Sequence, residues 1–134
     1  MLLNLSNHAL NTWSNKQVEA AEKLYGKIID IPFPKVNPNA DENEINYLTE
    51  QSLSKIIDTL QKSYDTNNAV HLMGELTFVF NLANKLIENN IKVIASTTKR
   101  ESFQTQSGKL SKFNFVKFRE YKKPLTLPDV RRVR

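Results

Sequence analysis

The sequence predicts an α/β fold: a mostly parallel sheet flanked by helices, with a C-terminal β-hairpin. Short apolar runs alternate with longer segments whose apolar residues recur at helical spacing. The predicted order is β-α-β-α-β-α-β-β, and right-handed crossovers would place the first four strands side by side. The last two strands are separated only by a short turn, which is typical of a hairpin.

The first half of the chain supplies two strands and two helices. An apolar strand at residues 1–6 ends in Ser-Asn-His, and a helix capped by Thr12 or Ser14 follows and stops at Gly26. The run "KIIDIPFP" predicts a second strand that its prolines end. Asp41 begins the capping-box-like D-E-N-E of a long helix that extends to about residue 64.

The second half continues the alternation and then changes character. "AVHLM" predicts strand 3, "ELTFVFNLANKLIENN" a helix and "IKVIAST" a strand 4 that ends near Thr97. A turn at Ser107–Gly108 would then join a short strand in "SFQTQ" to "KFNFVKFREY", where phenylalanines alternate with polar residues.

Length and composition indicate one domain. With 134 residues, 40% of them apolar, the chain has enough apolar side chains for a single hydrophobic core. We place this one domain at residues 1–121. Residues 122–134 are predicted to be a flexible basic tail. Cysteine is absent and no apolar run approaches the ~20 residues that span a bilayer, so we expect a cytoplasmic protein with no membrane partner.

Charge is distributed unevenly along the chain. Residues 1–90 contain seven lysines and eleven acidic residues, a net charge of −4, whereas residues 91–134 contain twelve basic and three acidic residues, a net charge of +9. This asymmetry favours an anionic partner for the C-terminal third, although a solvated basic tail explains part of it equally well.

Candidate site residues follow the predicted strands, because ligands of open α/β sheets bind outside the carboxyl ends of the strands. Hydroxyls, amides and cations suit phosphate oxygens, and a glycine lets the backbone approach a ligand closely. The candidate ligand-binding residues are Ser6, Asn7, Gly74, Thr77, Ser96, Thr97, Thr98, Lys99 and Arg100.

Two candidates have catalytic side chains. His8 is a candidate general acid or base because imidazoles titrate near neutrality, but an isolated loop histidine is often a surface residue. Glu75 is a weaker candidate, since a carboxylate at a helix start also serves as a cap. His71, inside strand 3, is expected in the core.

Familiar cofactor and metal motifs are missing from the sequence. It contains no G-x-G-x-x-G, P-loop or G-x-S-x-G pattern, and its two histidines have no acidic cluster around them. We therefore expect no cofactor and no metal.

Five segments together resemble the small stand-alone CRISPR-associated ring nucleases, which are CARF-like Rossmann proteins that accompany type III systems. The segments are "NLSNH", "IIDIPFP", "HLMGELTF", "VIASTTKR" and "FVKFREY", within residues 1–121. Lys99 stands where a glutamate is expected for this family.

The resemblance implies a homodimer that binds cyclic oligoadenylate, most often cyclic tetraadenylate, and cleaves it without metal. This reaction would switch off type III signalling. The resemblance implies no stable partner among long nucleic acids. Two alternatives are a non-catalytic sensor that uses the same pocket and a basic nucleic-acid-binding module that uses the hairpin and tail. Detection of cleavage, of binding alone, or of binding to long RNA or DNA would distinguish the three.

Overall fold

A computed structural model describes residues 1–124, and its helices and strands occur in the predicted order. The elements are β1 (Leu2–Ser6), a 3₁₀ turn (Leu10–Thr12), α1 (Asn15–Tyr25), β2 (Ile28–Asp30), α2 (Glu42–Gln61), β3 (Ala69–Met73), α3 (Leu76–Glu88), β4 (Val93–Thr105) and β5 (Gly108–Glu120). The predicted tail falls mostly at residues 125–134, outside the described residues.

The strands form one sheet in the order β2-β1-β3-β4-β5. The first four strands are parallel, and β5 is antiparallel to β4. The α/β prediction, with a mostly parallel sheet and a closing hairpin, is confirmed. Because the chain moves outward from β1 to β2 and then returns past β1 to β3, the order reverses between β1 and β3, which is where open α/β sheets bind ligands.

The helix boundaries follow from the caps that the sequence supplies. Ser14, not Thr12, is the N-cap of α1 and accepts a hydrogen bond from the Gln17 backbone. Asp41 caps α2 in the same way by accepting from Glu44. Gly26 ends α1 with a φ of 79°, a conformation that glycine adopts at little cost.

Apolar side chains cover both faces of the sheet. Alternate β-strand residues such as Leu3, Leu5 and Val70 pack against α2 and α3, in a core that also contains Phe78 and Leu82. The other face has a smaller cluster, formed by Leu2, Trp13, Ala21, Tyr25, Ala69 and Ile94. The helices therefore flank the sheet on both sides.

The predicted end of strand 4 is wrong. β4 does not stop near Thr97 but continues to Thr105, and it pairs with β5 from Ile94 to Thr105 apart from an irregularity between Thr97 and Thr98. The segment from Thr98 to Thr105 has no glycine or proline to end a strand, and its polar residues are suited to an exposed ribbon. β2, by contrast, is only three residues long because Pro32 follows it closely.

No helix in residues 1–124 has both the length and the apolar composition needed to cross a bilayer.

Candidate functional site

The carboxyl edge of the parallel strands brings together candidates that are distant in sequence. Ser6 ends β1, and Met73 lies opposite it at the end of β3. The Asn7 amide donates to the Met73 carbonyl, and the Ser96 amide donates to the Met73 sulfur. Residues 6–8, 73–75 and 96 therefore meet at the point where the strand order reverses.

Besides the Asn7 amide, several hydrogen bonds anchor the loop at residues 7–9, and three side chains meet at one atom, the carbonyl oxygen of His8. Asn4 Nδ2 donates to it over 2.9 Å and Trp13 Nε1 over 3.1 Å, while Ser6 Oγ lies 2.9 Å away. Asn4, Ser6 and Trp13 are buried, whereas His8 is exposed. Buried side chains thus fix the backbone of a residue whose own side chain faces solvent.

Asn4 connects this loop to a buried histidine. The Asn4 amide also donates to Asp30 Oδ1 over 2.8 Å, which orients its Oδ1 atom toward His71 Nδ1 at 2.9 Å. The other imidazole nitrogen, Nε2, lies 2.7 Å from Ser96 Oγ, and Gln17 Nε2 donates to that hydroxyl over 2.9 Å. The hydrogen bonds form one chain from β2 through β1, β3 and β4 to α1.

The directions of these hydrogen bonds assign the His71 tautomer. Asn4 Oδ1 can only accept, so His71 Nδ1 must carry the proton and Nε2 must accept from Ser96. Burial, reinforced by the positive charge of nearby His8, lowers the pKa of His71 from 6.5 to about 4. His71 is therefore neutral at physiological pH, and its prediction as a core residue is confirmed.

Glu75 is the N-cap of α3. Its carboxylate accepts from the backbone of Phe78 over 2.8 Å and of Thr77 over 3.1 Å, and the Thr77 hydroxyl donates to it over 2.7 Å. The Phe78 backbone hydrogen bond, followed by the Thr77 hydroxyl, lowers the pKa of Glu75 below its ordinary value. Of the two roles considered for Glu75, these contacts correspond to the helix cap, and the Thr77 side chain takes part in the same cap.

Gly74 has a structural reason to be glycine. Its φ is 155°, which L side chains rarely adopt, and a Cβ atom there would collide with the ring of Phe33. Phe33 in turn packs edge-on against Phe78, with ring centroids 5.3 Å apart. The close approach to Gly74 is therefore made by the Phe33 ring of the protein itself.

The sequence predicted that residues 97–100 leave the end of strand 4 together, and the structure does not show this arrangement. Thr97, Thr98, Lys99 and Arg100 all lie within β4, so successive side chains point to opposite faces of the ribbon. Thr97 Oγ1 donates to the Lys117 carbonyl of β5, and Lys99 and Arg100 are exposed. Lys99 and Arg100 cannot contact one phosphate from the same side.

Sequence reasoning missed Asn4 and Gln17. Asn4 is the polar residue inside the apolar run "LLNLS", and that interruption of a buried strand was the available signal. Gln17 had no such signal, because its partner Ser96 lies on another element, 79 residues away.

A hollow of about 390 Å³ lies beside the site, between the N-terminal ends of α2 and α3. It is lined by Thr77 together with Ala40, Asp41, Glu42, Ile45, Leu76, Phe80 and Asn81. Leu76 and Phe80 are largely exposed there.

The fold and the edge define the class of protein: a three-layer α/β domain with polar loops at the topological switch point of its sheet. The chain belongs to the uncharacterized protein MJ1673 family, whose model matches residues 1–119. That match includes every strand apart from the last residue of β5. No curated protein and no solved structure matches the chain.

Proposed function

We propose that the protein is a ring nuclease that binds cyclic oligoadenylate, in particular cyclic tetraadenylate, and cleaves it to linear products. The observation that carries this proposal is the anchored His8 loop at the switch point. Buried Asn4, Ser6 and Trp13 hold the backbone while the imidazole faces solvent. This arrangement suits a side chain that must be positioned for a ligand.

The proposed chemistry is an internal transfer within one phosphodiester of the ring. A ribose 2′-oxygen bonds to the adjacent phosphorus as the bond from phosphorus to the 5′-oxygen breaks, which leaves a 2′,3′-cyclic phosphate and a 5′-hydroxyl. One proton leaves the 2′-oxygen and one reaches the 5′-oxygen. His8 would supply one of these proton transfers, and alignment of the 2′-oxygen with the leaving group supplies much of the remaining acceleration.

Other groups at the edge would orient the ring. Asn7 and Ser6 belong to the same loop, and the Ser96 side chain completes its network two strands away. A cyclic tetranucleotide carries four negative charges, and Arg100 lies on the strand that continues from Ser96. Glu75 and Thr77, joined in the α3 cap, are the weaker members of the proposed site.

The proposal includes a homodimer in the cytoplasm. A domain of this size offers one switch-point edge, and a ring of four nucleotides has rotational symmetry that matches two such edges across a two-fold axis. Each subunit would then present one His8 to the ring.

A second candidate function is a sensor that binds the ring without cleaving it. The capping role of Glu75 favours it, because the α3 cap occupies one of the two candidate catalytic side chains. The fold and the ligand would be the same, and the signal would pass to a protein partner.

Incubation with radiolabelled cyclic tetraadenylate in EDTA tests the proposal. A linear product ending in a 2′,3′-cyclic phosphate supports the ring nuclease, and the absence of product at high enzyme excess contradicts it. A gel shift without product would support the sensor. Binding only to long RNA or DNA would contradict both.

A further inference from the structure

The β4–β5 hairpin extends beyond the rest of the sheet as an arm, which we define as Thr98–Thr105 of β4 and Gly108–Phe115 of β5. β4 pairs with β3 only at Val93 and Ile94 and then continues past the carboxyl edge where the His8 loop lies. Eight further residues at ~3.3 Å each give an arm of roughly 26 Å. The arm therefore rises beside the candidate site.

Strand register divides the arm into two faces. We call one the Arg100 face, formed by Arg100, Ser102 and Gln104 of β4 and by Lys109, Ser111 and Phe113 of β5. The opposite face contains Lys99, Glu101, Phe103, Leu110, Lys112 and Asn114. The neighbouring cations Arg100 and Lys99 therefore lie on opposite faces of the arm.

Arg100 is held in a defined orientation on its face. Its Nε and Nη2 atoms donate to Ser111 Oγ over 3.3 and 3.0 Å, and the guanidinium carbon lies 5.8 Å from the centre of the Phe113 ring. Neither partner carries a negative charge, and no ion pair links Arg100 to any residue from 1 to 124. A fixed, uncompensated guanidinium is suited to a phosphate.

Aromatic rings extend this face toward the candidate site. Phe113 is 64% exposed. Phe115 and Phe118, further along the same strand, have ring centroids 4.9 Å apart, and Phe118 packs against Trp13 at 6.2 Å. Trp13 is one of the residues that donate to the His8 carbonyl. An extended ligand on the Arg100 face would thus lead directly to the His8 loop.

Charge decides between two occupants of this face. Residues 98–115 contain four basic residues and one acidic residue, a net charge of +3. Pairing of β5 with β5 of a second copy would bring two strands together that each carry Lys109, Lys112 and Lys117, and lysines on an edge strand oppose such pairing. A polyanion gains from the same charges.

We propose that the Arg100 face binds a single-stranded oligonucleotide, with phosphates at Arg100 and Lys109 and a base stacked on Phe113. Positive charge interleaved with exposed aromatic rings is the combination that single strands use, because every unpaired base has a face to stack. The proposed binding surface is no longer than the arm, so it takes only a short oligonucleotide. The proposal is therefore compatible with the expected absence of a stable long nucleic acid partner. This inference stands independently of ring cleavage.

Fluorescence anisotropy with a 5′-labelled RNA of about 12 uridines and cytidines tests the inference. This probe contains no adenosine, so it is neither the proposed ring substrate nor its product, and the two proposals can fail separately. The full chain is compared with Arg100→Ala and Phe113→Ala. The matched controls are Lys99→Ala and Leu110→Ala, which remove a charge and an exposed apolar side chain from the opposite face.

We expect Arg100→Ala and Phe113→Ala each to raise the Kd by roughly fivefold or more, and the controls to change it less than about twofold. Absence of binding by the wild-type chain overturns the inference, and so do equal effects on the two faces. Equal or tighter binding of a duplex of the same sequence also overturns it. Light scattering on the unliganded variants tests the other occupant: a dimer that only the two Arg100-face changes dissociate would assign the face to a second copy.

Discussion

At the scale of single residues, a buried polar chain links the sheet to the exposed His8. His71, Asn4 and Ser96 lie on three adjacent strands, and each satisfies the hydrogen-bonding groups of the next. Buried polar groups that find all their partners stabilise one arrangement of a core. His71 could be placed in the core from its apolar neighbours, but its contacts could not, because Asn4 is 67 residues away.

His71 should make stability depend on pH. Its folded pKa of about 4 is below the unfolded value of 6.5, so the unfolded chain binds more protons between these values. We expect the free energy of unfolding in urea to fall by up to ~3 kcal/mol as the pH drops from 6.5 to 4. His71→Gln should lose this dependence, and His8→Gln should keep most of it, because burial is the larger cause of the lowered pKa of His71. An unchanged slope in His71→Gln would contradict the assignment.

Glu75 should stabilise the fold by capping α3. Glu75→Gln is expected to cost at most about 1 kcal/mol near neutral pH, measured by urea unfolding at low salt. Because the folded pKa lies below its ordinary value of 4.5, this contribution is present above 4.5 and is lost as the pH falls through the folded pKa. Glu42→Gln, in the first turn of α2, is the control. Equal curves for wild type and Glu75→Gln at neutral pH would exclude the cap.

Gly74 should tolerate no side chain while Phe33 is present. Gly74→Ala adds a Cβ into the ring and keeps an unfavourable φ, so we expect a loss of about 2 kcal/mol. In a Phe33→Leu background the same change should cost less, which a double-mutant cycle measures. Additive effects of the two changes would show that Phe33 is not the obstacle.

At the scale of elements, β4 shows what local patterns can and cannot predict. β3 and α3 were placed correctly because a short apolar run and helical spacing leave little choice. The hairpin was predicted with "SFQTQ" as its first strand, but the unbroken run of β4 from Thr97 into that strand was missed, because "TTKRESFQT" alternates polar types on both faces and offers no apolar stripe. Its strand structure arises from pairing with β5, which is tertiary context that a local reading lacks.

The arm should be the least protected part of the sheet. From Thr98 to Thr105, β4 pairs with β5 but with no other strand among residues 1–124, and two-stranded ribbons are marginally stable. Hydrogen exchange should therefore be fast at the amides of Glu101 to Ser107 and slow in β3. If the arm amides exchange as slowly as those of β3 in dilute protein, the arm cannot be an isolated two-stranded ribbon in solution, and this prediction is contradicted.

At the scale of the whole molecule, the sequence predicted the layers and the edge where the candidate site lies. Alternating strands and helices, with strand ends in "SNH" and "MGE", were enough to place Ser6, His8 and Gly74 at one edge. The separation of Lys99 from Arg100 depended on the unseen extension of β4. The position of a candidate site does not by itself define a function. The ring nuclease proposal therefore also requires a dimer and a cleavage reaction, and each can be tested.

The dimer is open to direct measurement. Size-exclusion chromatography with light scattering should give twice the 15.4 kDa chain mass at micromolar concentration, or do so once cyclic tetraadenylate is added. A monomer under both conditions would contradict binding of one ring by two switch-point edges.

The central claim is that the anchored His8 takes part in ring cleavage, and single-turnover cleavage of cyclic tetraadenylate in EDTA by His8→Ala tests it most directly. Glu75→Gln is the matched comparison at the same edge. We predict that His8→Ala slows cleavage by roughly 100-fold or more, with ligand binding within about threefold of wild type, because proton transfer is lost while the loop backbone is retained. Cleavage by His8→Ala within threefold of wild type would contradict the claim.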